Sequence, residues 1–310
     1  MALTEKIGNV TLNLDYYGGK DLYCDGEVED ELLDIVKNHR EGEFERIIAQ
    51  RCKWPILYHL SKHRGNCIEW MDIAKTDKVL EVGSGCGAVT GFLADKCESL
   101  TCIELSKQRS MINAERNKDK NNITVYVGNF QDISIKLDEK YDLITLIGVL
   151  EYGQLYIYSK NPYVDFLSGI RAMLKPGGRL VIAIENKLGM KYWAGCREDH
   201  VGRLYESIEN YPGKAGIRTF TKKELGELLD EAGFKDRQFY YPYPDYKFAA
   251  ALYSDDYLPH KGELNNNMRN FDMDRVVAFD ETKAFDNIIE NGMFPEFSNS
   301  YLIVAKEGTV

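Results

Sequence analysis

The chain has 310 residues, of which 44% are hydrophobic and 28% charged, a balance typical of a folded globular protein rather than a disordered or fibrous one. Its formal net charge of −10 at pH 7 gives little attraction to polyanions, so we expect no nucleic-acid partner. No apolar run is long enough to span a membrane, and the first residues lack a secretory pattern, which predicts a cytoplasmic protein. The seven cysteines are scattered without a Cys-x-x-Cys pair, and no metal-ligand cluster is visible, so we expect metal-independent chemistry.

The first 74 residues are predicted to form a separate cap. Residues 9–17 alternate apolar and polar side chains and then meet Gly18-Gly19, a pattern typical of a strand with a turn, which we place before the main fold. Residues 29–36 and 44–70 carry apolar side chains at helical spacing, interrupted by Pro55. The sequence therefore predicts a strand and a helical cap over residues 1–74, and a second domain over residues 75–310.

From residue 77 onwards, short β-rich runs alternate with helical stretches, and the runs are 78–82, 99–103, 124–127, 141–147 and 178–184. This alternation predicts an α/β fold, a mostly parallel sheet with helices on both faces. A further helix is predicted over 221–232, followed by an antiparallel pair of strands at 237–243 and 299–305. Residues 244–298 are too many for a hairpin turn, so we interpret them as an insertion that forms a lid or a contact surface.

A glycine-rich turn follows the first of these strands. Residues 79–87 read Val-Leu-Glu-Val-Gly-Ser-Gly-Cys-Gly and lead into a helix from Ala88, so the backbone can approach a ligand there. The spacing also fits a dinucleotide fingerprint, which leaves a nicotinamide oxidoreductase open. However, Glu81 would repel a pyrophosphate and would suit an amino group or a sulfonium. Glu104 ends the next strand, where a carboxylate can accept ribose hydroxyls, so the two acids favour a cationic ligand that carries a ribose.

With these residues the sequence resembles the class I S-adenosylmethionine-dependent methyltransferases. The resemblance implies S-adenosylmethionine as cofactor and S-adenosylhomocysteine as product, with the methionine end at the glycine turn and the ribose at Glu104. The stretch after the third strand departs from the family's pattern, so Asn129, Gln131 and Asp132 compete to bind the adenine amino group, and Phe130 could pack on the adenine face. The predicted cofactor-binding residues are Glu81, Gly83, Ser84, Gly85, Gly87, Glu104, Leu105, Asn129, Phe130, Gln131 and Gly148.

Further stretches extend the resemblance. Residues 141–152 resemble the family's fourth strand and the turn after it, and residues 174–180 resemble the loop before the fifth strand. The family's fold implies a Rossmann-like, seven-stranded sheet, here with an N-terminal cap and an insertion before the last strand. Residues 184–200 and 239–247 resemble a bacterial subgroup associated with the assembly of surface polysaccharides and other envelope glycans.

Methyl transfer to a hydroxyl needs a group that takes the proton, and three residues are predicted to be catalytic. His200 stands next to Glu198 and Asp199, which could raise its basicity, although a solvated loop histidine is the alternative. Glu151 and Tyr152 follow the fourth strand and could orient the acceptor, or could simply begin a helix and pack a ring.

The acceptor is expected to contact residues 240–247, which concentrate four aromatic rings beside two prolines and two charges. Rings stack on the apolar faces of sugars, and aspartate accepts hydrogen bonds from hydroxyls. We therefore predict Tyr241 and Asp245, together with Asp199, as substrate-binding residues. Packing against the insertion is the alternative explanation for most of these rings.

These features predict an enzyme that moves a methyl group from S-adenosylmethionine to a hydroxyl of a small molecule or glycan. One alternative is an N-methyltransferase that acts on an amine or amino sugar. Another is a non-catalytic cofactor-binding subunit that engages a partner through the insertion, where residues 270–279 carry apolar side chains. A homo-oligomer formed through the same insertion is also open.

Overall fold

The computed structural model describes residues 3–214, 216–267 and 273–308. The chain divides into two compact units, the first comprising Met1–Leu146 with Met173–Arg179, and the second Ile147–Ala172 with Leu180–Val310. The helical cap predicted for residues 1–74 belongs to the same unit as the glycine turn, so the boundary predicted at residue 75 falls inside the first unit.

The strands of the first unit are β1 (Thr4–Ile7), β2 (Val10–Tyr16), β3 (Lys78–Val82), β4 (Ser99–Glu104), β5 (Ile123–Gly128) and β6 (Tyr141–Ile147). They are hydrogen-bonded in the order β1-β2-β5-β4-β3-β6, and every neighbouring pair is parallel except the hairpin of β1 and β2. The predicted strand at residues 9–17 is thus part of the sheet and does not precede it. Its alternating apolar residues Val10, Leu12 and Leu14 are buried, which explains why it pairs with β5.

The helices of the first unit are α1 (Val28–Asn38), α2 (Phe44–Arg51), α3 (Trp54–Leu60), α4 (Thr90–Lys96), α5 (Lys107–Arg116) and α6 (Phe130–Ser134), with 3₁₀ turns at Glu41–Glu43 and Lys62–Cys67. The cap helices α1 to α3 bury a cluster of aliphatic and aromatic side chains that includes Cys86 of the glycine turn and Ile112 of α5. Asp21 binds the start of α5, because its carboxylate accepts the backbone N–H groups of Lys107 at 2.7 Å and Gln108 at 3.1 Å. The cap therefore packs directly on the glycine turn.

Strand β7 (Leu174–Glu185) begins in the first unit and continues in the second, which also contains β8 (Asp236–Tyr243), β9 (Ala251–Ser254) and β10 (Ser300–Lys306) in the order β7-β10-β8-β9. The pairs β8 with β10 and β8 with β9 are antiparallel, which confirms the predicted antiparallel pair. The helices of this unit are α7 (Gly153–Tyr156), α8 (Pro162–Met173), α9 (Met190–Trp193), α10 (Lys222–Glu231), α11 (Glu281–Glu290) and α12 (Phe294–Phe297), with 3₁₀ turns at Leu150–Tyr152 and Tyr246–Phe248.

The insertion at residues 244–298 packs on its own unit. It supplies β9, α11 and α12, and the buried rings of Phe285 and Phe294 lie against Tyr243 and Tyr241 at centroid distances of 6.5 and 5.6 Å. Within the segment suggested as an interface, residues 270–272 lie outside the described residues. Val276 and Val277 are exposed. The aromatic part of the insertion thus completes a core.

The predicted fold class is confirmed as a Rossmann-like α/β fold with a mostly parallel sheet. The predicted count of seven strands is wrong, since the described residues form ten strands, and the extra ones are β1, β2 and β9. The predicted loop at residues 174–180 is instead the first part of β7. Within the described ranges, none of the helices is both long and apolar enough to cross a membrane.

Candidate active site

The glycine turn joins β3 to α4 and has a backbone that favours glycine. Gly83, Gly85 and Gly87 have φ angles of 74°, 52° and 79°, in the left-handed region that other residues rarely adopt. A Cβ atom at Gly87 would lie 2.4 Å from Oδ1 of Asn113, so close packing against α5 requires this glycine. A Cβ atom at Gly85 would meet nothing within 4 Å. The backbone at Gly85 therefore faces open space that a ligand can enter.

Glu104 is the buried last residue of β4 and holds the glycine turn in place. Its Oε2 atom accepts the backbone N–H of Gly85 at 2.7 Å, and its Oε1 atom accepts that of Ser106 at 2.9 Å. Burial raises the pKa of Glu104, although Arg109 opposes this effect. Each carboxylate oxygen has a second lone pair. Glu104 can thus accept hydroxyl groups of a ligand while it positions Gly85.

Glu81 lies in β3, two residues before Gly83, and its side chain is buried. Its Oε2 atom accepts hydrogen bonds from the Thr90 hydroxyl at 2.7 Å and from the Cys102 thiol at 3.6 Å. Burial raises the pKa of Glu81 to about 7. A carboxyl group with this pKa is partly protonated at neutral pH. A cation beside it stabilises the ionised form, so Glu81 suits a ligand with a positively charged amino group.

The adenine candidates follow β5. Asn129 begins α6, where its Oδ1 atom accepts the backbone N–H of Gln131 at 3.0 Å. Phe130 is buried, Gln131 is half-buried and Asp132 is exposed. This arrangement does not choose between them, so the predicted adenine contacts of Asn129, Phe130 and Gln131 stay predictions.

The remaining predicted cofactor residues outside the adenine candidates are Ser84, Leu105 and Gly148. Ser84 is buried in the turn and Leu105 is half-buried after β4. Gly148 belongs to the second unit, where a Cβ atom would lie 2.7 Å from the Tyr246 hydroxyl and 3.6 Å from Oε1 of Glu151. Position 148 therefore requires glycine, because any side chain there would overlap the Tyr246 hydroxyl.

His200 lies in the second unit and is held between carboxylates. Its Nδ1 atom is 3.0 Å from Oε1 of Glu198, and its Nε2 atom is 3.4 Å from Oε1 of Glu151 and 3.9 Å from Oε2 of Glu185. The His200 side chain is only 8% exposed, so the alternative of a solvated loop histidine is wrong. Burial lowers the pKa of His200, but the neighbouring glutamates outweigh it and raise this pKa well above its usual value.

Glu198 fixes the orientation of the imidazole. Its Oε2 atom accepts the backbone N–H groups of His200 at 2.9 Å and Val201 at 2.7 Å, and Tyr211 donates its hydroxyl to Oε1 at 3.2 Å. Tyr152, which was predicted to be catalytic, packs its ring edge-to-face against His200 with 5.6 Å between centroids. Tyr152 thus contacts the histidine through its ring.

Glu151 and Glu185 are buried at the carboxyl ends of two strands. Glu151 follows β6 in the 3₁₀ turn, and Glu185 is the last residue of β7. The Oε2 atom of each is buried and has no hydrogen-bond partner. Burial raises the pKa of Glu151, and His200 opposes this. In open α/β sheets ligands bind at this end of the strands, so these oxygens point to a binding function.

Two lysines join this cluster to the predicted substrate residues. Lys191 Nζ lies 2.8 Å from Oδ2 of both Asp199 and Asp245. Lys247 Nζ lies 3.0 Å from Oδ1 of Asp199 and pairs with Oε1 of Glu185. Burial raises the pKa of Asp199, but the two lysines outweigh it and hold this pKa well below its usual value. The structure thus brings Asp199, Asp245 and His200 into one connected cluster.

Sequence reasoning missed Glu185, Lys191 and Lys247. Glu185 had a usable signal, because a charged residue directly after the apolar run 180–184 of β7 is unusual. The lysines had none, since each joins carboxylates of separate segments: Lys191 reaches Asp245, 54 residues away, and Lys247 reaches Glu185, 62 residues away. The structure also brings ligand atoms of Glu151, Glu185 and His200 within 4.8 Å of one another, a cluster that the sequence pattern did not indicate.

The predicted substrate role of Tyr241 is corrected. Its side chain is fully buried in the second unit, between the rings of Phe294 and Tyr301. Its hydroxyl is hydrogen-bonded to Asp255 and lies 2.8 Å from Lys222 Nζ. An acceptor cannot reach this ring, so the packing explanation holds for it.

Comparisons with known proteins match the part of the chain that contains the glycine turn. Residues 80–180 match the family model described as a methyltransferase domain. The chain is similar to ribosomal RNA small subunit methyltransferase A of Syntrophus aciditrophicus, with 26% identity over 31% of each chain. The same enzyme of Borrelia garinii is 34% identical over 28% of this chain and 31% of its own length. The chain therefore spans about a third of the length of these curated relatives.

Among solved structures, a phosphoethanolamine N-methyltransferase of Haemonchus contortus in complex with S-adenosylhomocysteine is 12% identical over 93% of this chain and 52% of its own, with a TM-score of 0.49. The RNA-acting relatives contradict the expectation that excluded nucleic acid. That expectation rested on net charge, which averages over the whole chain and does not describe a local surface. Residues 80–180 of this chain are thus similar to a methyltransferase domain.

Proposed function

We propose that the chain transfers the methyl group of S-adenosylmethionine to a hydroxyl group of a small molecule or glycan. The main observation that supports this proposal is that the buried Oε2 atoms of Glu151 and Glu185 have no hydrogen-bond partner. Both glutamates lie beside His200. Such oxygens fit an acceptor that donates a hydroxyl proton, because an unmade hydrogen bond in the interior is costly. The glycan class rests on the resemblance of residues 184–200 and 239–247 to an envelope-glycan subgroup.

The cofactor-binding residues lie in the first unit and fit their ligand chemically. Glu104 retains lone pairs for the ribose hydroxyls, Gly85 leaves space for close approach, and Glu81 suits the amino group. The bound cofactor supplies a methyl group already activated by its positive sulfur, so that the acceptor oxygen forms the new C–O bond while the C–S electron pair stays on S-adenosylhomocysteine.

The second unit supplies the group that takes the acceptor's proton. Burial raises the pKa of Glu151, so this carboxylate is a better proton acceptor than an ordinary glutamate. His200 and Glu198 act as positioning residues, since Glu198 holds the imidazole and the imidazole holds Oε1 of Glu151. The lysines and aspartates of the connected cluster provide polar groups for the rest of the acceptor.

A second candidate is an amine acceptor. The connected cluster contains more carboxylates than cations, which favours a positively charged ligand. An RNA acceptor is a third outcome, given the curated relatives.

The test supplies methyl-labelled S-adenosylmethionine and the purified chain to a fractionated cell extract. We expect label in nucleotide-sugar or glycan fractions, as an ether that resists base. Glu151→Gln should reduce the rate by about 10²- to 10⁴-fold at unchanged cofactor affinity. Glu206→Gln is the matched control, because Glu206 is a buried glutamate of the same unit bonded to the Gly213 backbone at 2.8 Å.

Each other result changes the proposal. Label in small amines would move the assignment to nitrogen, and label in RNA would make nucleic acid the acceptor. Tight cofactor binding without transfer to any fraction would favour the non-catalytic subunit. An equal loss of rate in Glu206→Gln would show that the effect of Glu151→Gln is structural.

A further inference from the structure

Three side chains of the second unit converge on one point from separate parts of the chain. Carboxylate oxygens of Glu151 and Glu185 and the Nε2 atom of His200 all lie within 4.8 Å of one another. Two ligands of a single cation, each about 2.1 Å from it, are at most about 4.2 Å apart. The 3.4 Å between His200 and Glu151 already meets this limit, so the site needs only a small contraction.

The unused hydrogen-bonding capacity of this cluster points to a missing ligand. Glu151 is 1% exposed and Glu185 is fully buried, yet the Oε2 atom of each has no hydrogen-bond partner. Their Oε1 atoms are occupied, by His200 and Lys247 respectively. Each glutamate therefore keeps one oxygen for something else.

His200 is oriented as a metal-ligating histidine would be. Its Nδ1 atom faces Glu198, whose second oxygen accepts two backbone N–H groups, so that Nε2 faces Oε1 of Glu151 and Oε2 of Glu185. A carboxylate on the far nitrogen is the usual outer partner of a ligating histidine, because it fixes the ring and its tautomer. Lys247 similarly fixes the orientation of the Glu185 carboxylate through its ion pair with Oε1.

The charge balance also favours a cation. The ion pairs join five carboxylates to two lysines and to His200, whose imidazole binds a metal only in its neutral form, and a buried excess of negative charge is costly without compensation. The carboxylates are Glu151, Glu185, Glu198, Asp199 and Asp245, and the lysines are Lys191 and Lys247.

We propose that Glu151, Glu185 and His200 bind one divalent transition-metal cation, such as Mn²⁺ or Zn²⁺. A site with two carboxylate oxygens and one imidazole nitrogen suits these ions better than Ca²⁺, which takes six to eight oxygen ligands. Three protein ligands leave coordination positions open for an acceptor oxygen. Binding of the cation does not depend on the proposed function. A bound cation would occupy the oxygens that the proposed function assigns to the acceptor hydroxyl, so that in methyl transfer the acceptor oxygen would bind the cation instead.

The test titrates the 310-residue chain with Mn²⁺ and follows the loss of the free-ion electron paramagnetic resonance signal, with Zn²⁺ binding measured by calorimetry. We expect one equivalent to bind, and Glu151→Gln or Glu185→Gln to weaken the affinity by at least about tenfold. Glu198→Gln should weaken it by about 10- to 100-fold through the histidine. Glu206→Gln is the matched control and should bind like the parent chain, and circular dichroism checks folding.

Electron spin echo measurements on the parent chain keep the test independent of variant folding. We expect nitrogen modulation from one imidazole on the bound Mn²⁺. The inference is overturned if neither ion binds, if the bound Mn²⁺ has no imidazole nitrogen, or if the glutamate variants bind as tightly as the control. Methyl transfer is measured separately, with and without a chelator. Failure of the proposed function would then leave cation binding intact, and failure of cation binding would leave the proposed function intact.

Discussion

Replacing Glu81 by glutamine isolates one buried carboxyl group of the cofactor-binding unit. The side chain is 4% exposed, and burial raises its pKa to about 7, against 4.5 for a solvated glutamate. The folded chain therefore holds this proton more tightly than the unfolded chain, and the associated stability is present below about pH 4.5 and lost as the pH rises through 7. At about 1.36 kcal/mol per pKa unit, the loss is about 3 kcal/mol.

Glu81→Gln resembles the protonated acid and cannot ionise, so it should abolish this loss. The free energy of unfolding of the parent chain should fall relative to that of the variant by about 2.5 kcal/mol between pH 5 and pH 8. Trp54 and Trp70 lie in the first unit and Trp193 in the second. Urea unfolding followed by tryptophan fluorescence in a Trp193→Phe background therefore reports on the first unit alone.

Cofactor binding should show the opposite dependence on pH. A cationic amino group beside Glu81 favours the ionised carboxylate, so affinity for S-adenosylmethionine should rise between pH 5 and pH 8 in the parent chain and stay flatter in Glu81→Gln. Glu45→Gln, at an exposed position of the same unit, is the control and should follow the parent. Parallel stability curves for the parent and Glu81→Gln would refute the reasoning, because they would mean that Glu81 is ionised throughout.

Gly85→Ala should weaken cofactor binding by about tenfold or more in calorimetry while costing only about 1 kcal/mol of stability, because the added Cβ enters the ligand space. Gly87→Ala should instead lower the melting temperature further, since its Cβ overlaps Asn113; equal effects of the two changes would contradict these assignments. Tyr241→Phe should leave the acceptor KM unchanged and cost about 1 kcal/mol, and a raised KM would restore its substrate role. Thr221→Ala removes a capping box at α10 and should cost about 1 kcal/mol in thermal unfolding, where no change would show that the cap is dispensable.

Several features of this chain are encoded by residues that are neighbours in the sequence. The run of residues 78–82 is β3 as predicted, and Thr221 with Glu224 begins α10 as its capping pattern indicates. The glycine turn and Glu104 are recognisable in the sequence because turn geometry and the end of a strand depend on a few adjacent residues. The fold class and the cofactor chemistry follow from such local patterns.

The domain boundary and the edges of the sheet are not encoded locally. The strand at residues 9–17 alternates correctly, but nothing local shows that it pairs with β5, more than a hundred residues away. Tyr241 resembles an acceptor contact because four aromatic rings occur together, and only the packing of Phe294 and Tyr301 around it reveals a core residue. A cluster of aromatic residues in the sequence is equally compatible with a ligand-binding surface and with a hydrophobic core.

The carboxylate cluster shows most clearly what the sequence alone does not predict. Sequence alone supplies His200, Glu151 and Asp199 as separate candidates, and His200 and Glu151 each also have an ordinary structural explanation. Tertiary folding adds Glu185 and Lys247, and it leaves each of these five side chains at most 16% exposed. Their pKa values and free oxygens arise from mutual distances of a few ångströms between residues that are far apart in the sequence, and no local pattern encodes such distances.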